Sequence, residues 1–279
     1  MTWRAGVHLP GTRLFCDALR ANDLCFVSAA QASLRSDRRG PIGTLLCTER
    51  TLRLRHALGE PARAAASVLL SPVGRPFHLG ALRLELFPSG QAPGAASLWV
   101  KLQSGQSVIY AGAPCPQPAL GAEPLQVRAA TALVCAAPLA VHPGELPDRA
   151  AALLTLQEHV AQARAAGAAT VILCSPLPGA PVIWSPLLAA GVPVVTHPEI
   201  ARALLAYKQL GLLPSTPAPR RFTRPLAPGS VLLWPAATAL PPPARLQTPQ
   251  ASALHVILSI GAAFAPPVVP RARAAPPPP

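Results

Sequence analysis

The stretch FVSAAQASL, residues 26–34, is a strand end running into a loop whose side chains carry no evident chemistry. Leu24, Cys25, Phe26 and Val27 form the short apolar run expected of a buried strand. Ser28 closes the run, and Ala29, Ala30, Gln31, Ala32, Ser33 and Leu34 follow without one metal ligand or general base. Upstream, RLFCDAL (13–19) reads as a second buried strand. Downstream, Thr48 is placed to cap a helix over 49–58 that stops at Gly59. In LRLELF (82–87), Leu82, Leu84 and Leu86 alternate with Arg83 and Glu85, the period-two pattern of a half-exposed strand. SLWVKLQSGQSVIYAG then reads as a hairpin folded at Ser104-Gly105.

Past residue 130, strand and helix alternate. TALVCA (131–136) is a strand, and Asp148 caps a helix with Leu153, Leu156, Val160 and Ala163 on one stripe, ended by Gly167. TVILC (170–174), VPVVTH (192–197) and SVLLWP (230–235) are further strands. Pro198 opens a helix with the stripe Ile200, Leu204 and Tyr207, and Gly211 closes it. Hairpins followed by βαβα units give an α/β architecture with mixed sheets. The Pro/Arg-rich stretch 214–229 reads as a connector, and the tail 265–279 as a disordered Pro-rich segment.

Basic residues outnumber acidic ones, 24 Lys and Arg against 11 Asp and Glu, for a formal charge of +13. Such a balance favours nucleic acid or other acidic partners. Arg35, Arg38, Arg39, Arg50, Arg53 and Arg55 fall in one short span opposed only by Asp37 and Glu49. Arginine is also the chain's dominant base, so the same span reads equally as a solvated face. The six cysteines (16, 25, 47, 115, 135, 174) lack CxxC spacing and sit mostly in apolar surroundings, as free thiols of a reducing compartment do. No signal-peptide core opens the chain and no apolar run reaches the ~18 residues of a membrane span. The expectation is a cytoplasmic protein with no membrane partner.

The order of segments resembles the metallo-β-lactamase-fold nucleases, in particular the exonuclease-like branch of the ligase-associated type, related to the β-CASP processing enzymes. In that family a strand ending in Val-Ser or Thr runs into His-x-His-x-Asp-His, and a helix opening Thr-x-x-Thr follows, matched here by Thr48-Glu49-Arg50-Thr51. LRLELFPSGQAPGAASLWVKL is similar to the family's Pro-Ala-Gly-His segment, and SVIYAGAP to its Tyr-Thr-Gly-Asp strand end. RAATALVCAAPLAVHPGELPDR and ATVILCSPLPGAPVIWSPLLAAGVPVVTHPEIARALLAYKQLG track the two later segments, across roughly residues 5–240 in all. The resemblance implies a metallo-β-lactamase-like αββα sandwich, two mixed β-sheets flanked by helices, shortened at its C-terminus. It implies a degenerate domain over 1–213 with a short β-CASP-like part at about 148–213, and remaining sandwich strands in 230–264.

The family binds two zinc or manganese ions, which need closely spaced imidazoles and carboxylates. Here Ala29 and Gln31 stand for the first two His, Ser33 and Leu34 for the Asp-His, Gln91 for the later His, and Ala113 for the bridging Asp. Gly179 and Pro181 replace a helix-side Lys and Gln, whereas His197 and Tyr207 remain. The seven His form no HxH or HxxxH pair, and no Walker loop, GxGxxG or Gly-x-Ser-x-Gly elbow occurs. Cys135 and Cys174 end strands but lack an identifiable activating base.

What the resemblance implies is therefore a catalytically inactive, metal-free homologue with no cofactor. Such a protein would bind DNA or RNA, or serve an active nuclease, ligase or helicase as an accessory subunit in DNA repair or RNA processing. Arg35, Arg38, Arg39, Arg53, Arg55 and His197 are its candidate nucleic-acid contacts. The alternatives are a protein–protein scaffold pairing with an active relative, and a residual metal-dependent exonuclease or hydrolase.

Overall fold

The computed structural model describes residues 2–3, 7–19, 23–32, 35–36, 42–59, 65–136, 148–213, 217–223, 225–240, 254–260 and 263–264. The chain is mixed α/β and divides into two compact units, Met1–Gly144 and Glu145–Pro279.

Unit 1 is built from β1 (Thr2–Trp3), β2 (Val7–His8), β3 (Leu14–Cys16), β4 (Ala18–Leu19), β5 (Leu24–Phe26), β6 (Arg35–Ser36) and β7 (Ile42–Cys47). Helix α1 (Glu49–Ala57) follows, then β8 (Ala65–Leu70), β9 (Phe77–Leu79), β10 (Leu82–Pro88), β11 (Ala96–Lys101), β12 (Ser107–Tyr110) and β13 (Ala132–Val134). One sheet has the order β1-β2-β3-β5-β7-β8 and another β13-β12-β11-β10-β9, while β4 and β6 pair separately. Both larger sheets are mixed: β3, β5, β7 and β8 run parallel beside antiparallel β2, and β13 runs parallel to β12 beside the antiparallel β10–β11–β12 meander.

Strand alternation explains the layering. Leu14, Cys16, Leu24, Phe26 and Leu46 of the first sheet share one buried cluster with Leu84, Leu86, Leu98, Val100, Val108 and Tyr110 of the second, so the two sheets face each other. On the first sheet's opposite face, Cys25, Val27, Leu45 and Cys47 pack with Leu52 of α1. The opposite face of β10 is less open than its polar residues suggest. Arg83 is exposed, but Glu85 is buried and ion-paired to Arg128 at 2.7 Å. Phe87, Ile109 and Ala111 form a further apolar cluster.

Unit 2 contains α2 (Arg149–Ala165), β14 (Ala169–Cys174), α3 (Gly179–Ala189), β15 (Val194–Thr196), α4 (Pro198–Gln209), β16 (Arg220–Arg221), β17 (Val231–Pro235), β18 (Leu254–Ile260) and β19 (Ala263–Phe264). Its sheet has the order β16-β15-β17-β14-β18-β19, parallel throughout except at β18–β19. Helices α2 and α4 begin where the sequence predicts: Asp148 Oδ2 accepts from Ala150 N–H, and His197 Nδ1, just before Pro198, accepts from Glu199 N–H.

Within 214–229, expected as a connector, Arg220 and Arg221 form an edge strand beside β15. Within 230–264, β17 and β18 flank β14 in parallel, in the interior of unit 2's own sheet. Val231, Leu232 and Leu233 are fully buried there, and continuous apolar runs of that kind suit a strand covered on both faces. The tail 265–279 lies outside the described residues.

Candidate functional site

The site begins where β3, β5 and β12 end. Asp17, just past β3, has φ 48°, a left-handed conformation that Asp tolerates better than most residues. Its amide donates to Phe26 O at 2.8 Å. Its carboxylate accepts from the Ser28 amide (2.8 Å), the Ser28 hydroxyl (2.6 Å) and the Tyr110 hydroxyl (2.8 Å). Three strand ends are thereby held on one side chain. Burial raises the pKa of Asp17 against the pull of these donors and of Arg55. Burial, with Asp17 alongside, also pushes the Tyr110 phenol far up.

Ser28 is the hub on which the loops converge. Its carbonyl accepts from Ala96 N–H at 2.8 Å, where the loop after β10 re-enters β11. Gly112, after β12, has φ 59°, and a Cβ there would lie 2.8 Å from Ser28 Oγ. The loop after β5 and the loop after β10 meet through Ala29, Ala92 and Ala95, which form a buried apolar cluster. The segments carrying Ala29, Gln31, Gln91 and Ala113 are thus brought around one point. Both Gln31 amide atoms and Ser89 Oγ are buried there without a hydrogen-bond partner among the described residues. Ser33 and Leu34 lie outside the described residues.

Helix α1 grips both loops. The Thr48 and Thr51 hydroxyls donate to Gly94 O at 2.6 and 2.9 Å, and Glu123 accepts from Gly94 N–H and from Arg50. At the helix's other end Arg55, 6% exposed, donates to Ala30 O (3.1 Å) and Ala32 O (3.2 Å). A permanent cation holds the loop's carbonyls from within. The four described positions named above offer two methyl groups and two amides, a donor set unlike the imidazoles and carboxylates that hold zinc or manganese. Among the described residues no three His, Cys, Asp or Glu side chains are grouped to hold a metal ion.

The expected nucleic-acid contacts are dispersed. Arg53 is exposed and ion-paired to Glu49 at 2.6 Å, whereas the Arg55 guanidinium faces backbone carbonyls. Arg35 lies in β6, paired with Ala18 of β4, and Arg38 and Arg39 fall outside the described residues. His197 is in unit 2. Burial lowers its pKa, Glu199 partly offsetting the shift, so the ring is neutral at pH 7 with its proton on Nε2. It meets the Trp234 ring edge-on at 4.5 Å, and Phe222 meets Trp234 at 6.3 Å. The sequence reading missed Asp17, Tyr110, Phe222 and Trp234. An acid closing the apolar run Leu14-Phe15-Cys16 was the available signal for Asp17.

No known protein-family profile matches the chain, and no curated protein does. The structure is similar to the crystal structure of a protein of unknown function from Enterococcus faecalis V583, at a TM-score of 0.51 and 13% identity. The match covers 80% of this chain and 60% of that one, and at such identity it shows a shared fold alone. Among the described residues no helix is long and apolar enough to cross a membrane.

Proposed function

We propose that this protein is a non-hydrolytic relative of the metallo-β-lactamase-fold nucleases that binds nucleic acid as an accessory subunit, in DNA repair or RNA processing. One observation carries the reading. The loops after β5, β10 and β12 converge on Ser28, yet the first two meet through the methyl groups of Ala29, Ala92 and Ala95. The two facing mixed sheets with α1 on one outer face fit the αββα sandwich of that family. Arg55 gives such a shell a way to keep its rim ordered without a bound ion, because its charge cannot be lost near neutral pH. The formal charge of +13 favours a polyanionic partner.

The test is metal analysis of the purified protein, a nuclease assay in added zinc or manganese, and a salt-titrated binding assay with DNA and RNA. The expected result is sub-stoichiometric metal, no chelator-sensitive hydrolysis, and affinity that falls steeply with salt. Stoichiometric metal with chelator-sensitive turnover overturns the reading in favour of a residual hydrolase.

A scaffold role has its own support. Val68 (44% exposed) and Leu70 (45%) lie on one face of β8, the last strand of the six-stranded sheet. Salt-independent capture of an active nuclease would favour that role.

A further inference from the structure

The reading that the protein binds nucleic acid leaves open which surface does so, and unit 2 offers one outside the arginine span of residues 35–55. Strand β16 lies at the edge of the unit's parallel sheet, with Arg220 opposite Val195 and Arg221 opposite Thr196. Neighbouring side chains on a strand point to opposite faces, so the two exposed guanidinium groups straddle the edge. Helix α4, in contact with β16, adds the exposed Arg202. The acidic residues described in unit 2 are Asp148, Glu158 and Glu199, and Glu199 alone belongs to α4.

The same edge gathers aromatic rings. The chain leaves β16 at Phe222, whose amide donates to Thr196 O at 2.9 Å. Phe222 follows β16, His197 follows β15, and Trp234 is the penultimate residue of β17; the three strands are parallel neighbours. Their rings form one edge-to-face group, with interplanar angles of 65° and 83° about Trp234. Trp234 is pinned by its indole N–H donating to Thr238 O at 3.1 Å, while His197 and Phe222 are partly exposed. The carboxyl ends of parallel strands are where open α/β sheets take ligands. Rings beside basic side chains there suit a ligand carrying both flat bases and phosphates.

We propose that the carboxyl edge of β15, β16 and β17 contacts single-stranded nucleic acid, with Arg220, Arg221 and Arg202 on the phosphates and the Phe222 and His197 rings against unpaired bases. A duplex hides the base faces that these rings would meet, so the surface discriminates for single strands. The inference rests on the nucleic-acid reading above but can fail without it.

The experiment measures binding of the full chain to a fluorescent oligothymidylate of about twenty nucleotides and to a duplex of equal length, across a salt series. R220E/R221E should weaken single-strand binding at least about tenfold and lower the salt slope by about two. R75E/R83E reverses two exposed arginines of unit 1, changes net charge equally, and should stay within about threefold of the parent. F222L keeps apolar bulk but loses the ring; it should weaken the single strand and leave the duplex unchanged. If the two double variants weaken binding equally, net charge alone is at work and the site is wrong, though the nucleic-acid reading stands. Unchanged binding by R220E/R221E overturns the site in the same way. Equal affinity for duplex and single strand with a silent F222L removes the stacking role. A parent protein that binds neither oligonucleotide overturns both proposals.

Discussion

In unit 1 the ends of β3, β5 and β12 are tied by inward-facing polar groups, whereas in unit 2 the ends of β15, β16 and β17 carry rings, with arginines pointing outward. Asp17 accepts three hydrogen bonds from Ser28 and Tyr110, and Arg55 supplies donors to two loop carbonyls. At the unit 2 edge His197 caps α4, Trp234 and the Thr196 hydroxyl each donate to one backbone carbonyl, and Trp234 and Phe222 pack in an apolar cluster with no charged side chain in it. The contrast teaches where each unit keeps its charge. A charge buried with satisfied partners fixes a loop and is unavailable to a ligand; a charge left at a sheet edge contributes little to folding and remains available.

If that contrast is right, the largest effect belongs to Arg55. R55M keeps the length of the side chain but strands the carbonyls of Ala30 and Ala32 in the interior, and should cost about 3 kcal/mol in denaturant unfolding. A loss under about 1 kcal/mol would mean that the cation does not hold the rim. Next comes D17A, which removes an acceptor from three donors and puts Ala in a left-handed conformation, for about 2–3 kcal/mol. D17N retains both an acceptor and tolerance of positive φ, and should lose less than D17A.

Asp17 also gives the comparison a pH axis. Because its folded pKa is raised, the folded state holds the proton more tightly than the unfolded state does. Its contribution is therefore fully present below the unfolded pKa, about 3.9, and is lost as pH rises through the folded value. Denaturant midpoints measured from pH 3.5 upward, about the ordinary carboxylate range, should show this decline in the parent and not in D17N.

G112A should come next. Its Cβ would press on Ser28 Oγ at φ 59°, and an effect of about 1–2 kcal/mol is expected from strain and displacement of the Ser28 hub. The smallest effect tests unit 2 from the other side. The Tyr207 hydroxyl is buried without a partner among the described residues, so Y207F should be neutral or stabilising by up to about 1 kcal/mol. A clear loss there would show that unit 2 also depends on buried polar ties.

Much of the local structure was legible because capping and periodicity act over a few residues. Thr48 accepts from Thr51 N–H, and the helix it opens ends beside Gly59 at φ 76°. Pro198 and Gly211 bracket α4, and the alternating leucines of 82–87 place Leu84 and Leu86 in the core between the sheets. Helix α3 was not legible, because Pro181 and Pro186 argue against a helix and an interior proline costs about 3 kcal/mol. Ile183, Trp184 and Leu187 are almost wholly buried in it, and side chains of that size each return about 1.5–3 kcal/mol.

The candidate site divides in the same way. The sequence alone showed that positions 29, 31, 91 and 113 carry no imidazole or carboxylate, since that follows from residue identity. It could not show that their loops meet at Ser28, that Arg55 turns inward while Arg53 stays in water, or that β17 and β18 flank β14. Strand pairing joins residues far apart along the chain, and every apolar run presents much the same edge to every other. A charge, likewise, reads the same in the sequence whether it faces solvent or a buried carbonyl. Burial, which belongs to the assembled fold, decides which arginine is a structural cation and which is left for a partner.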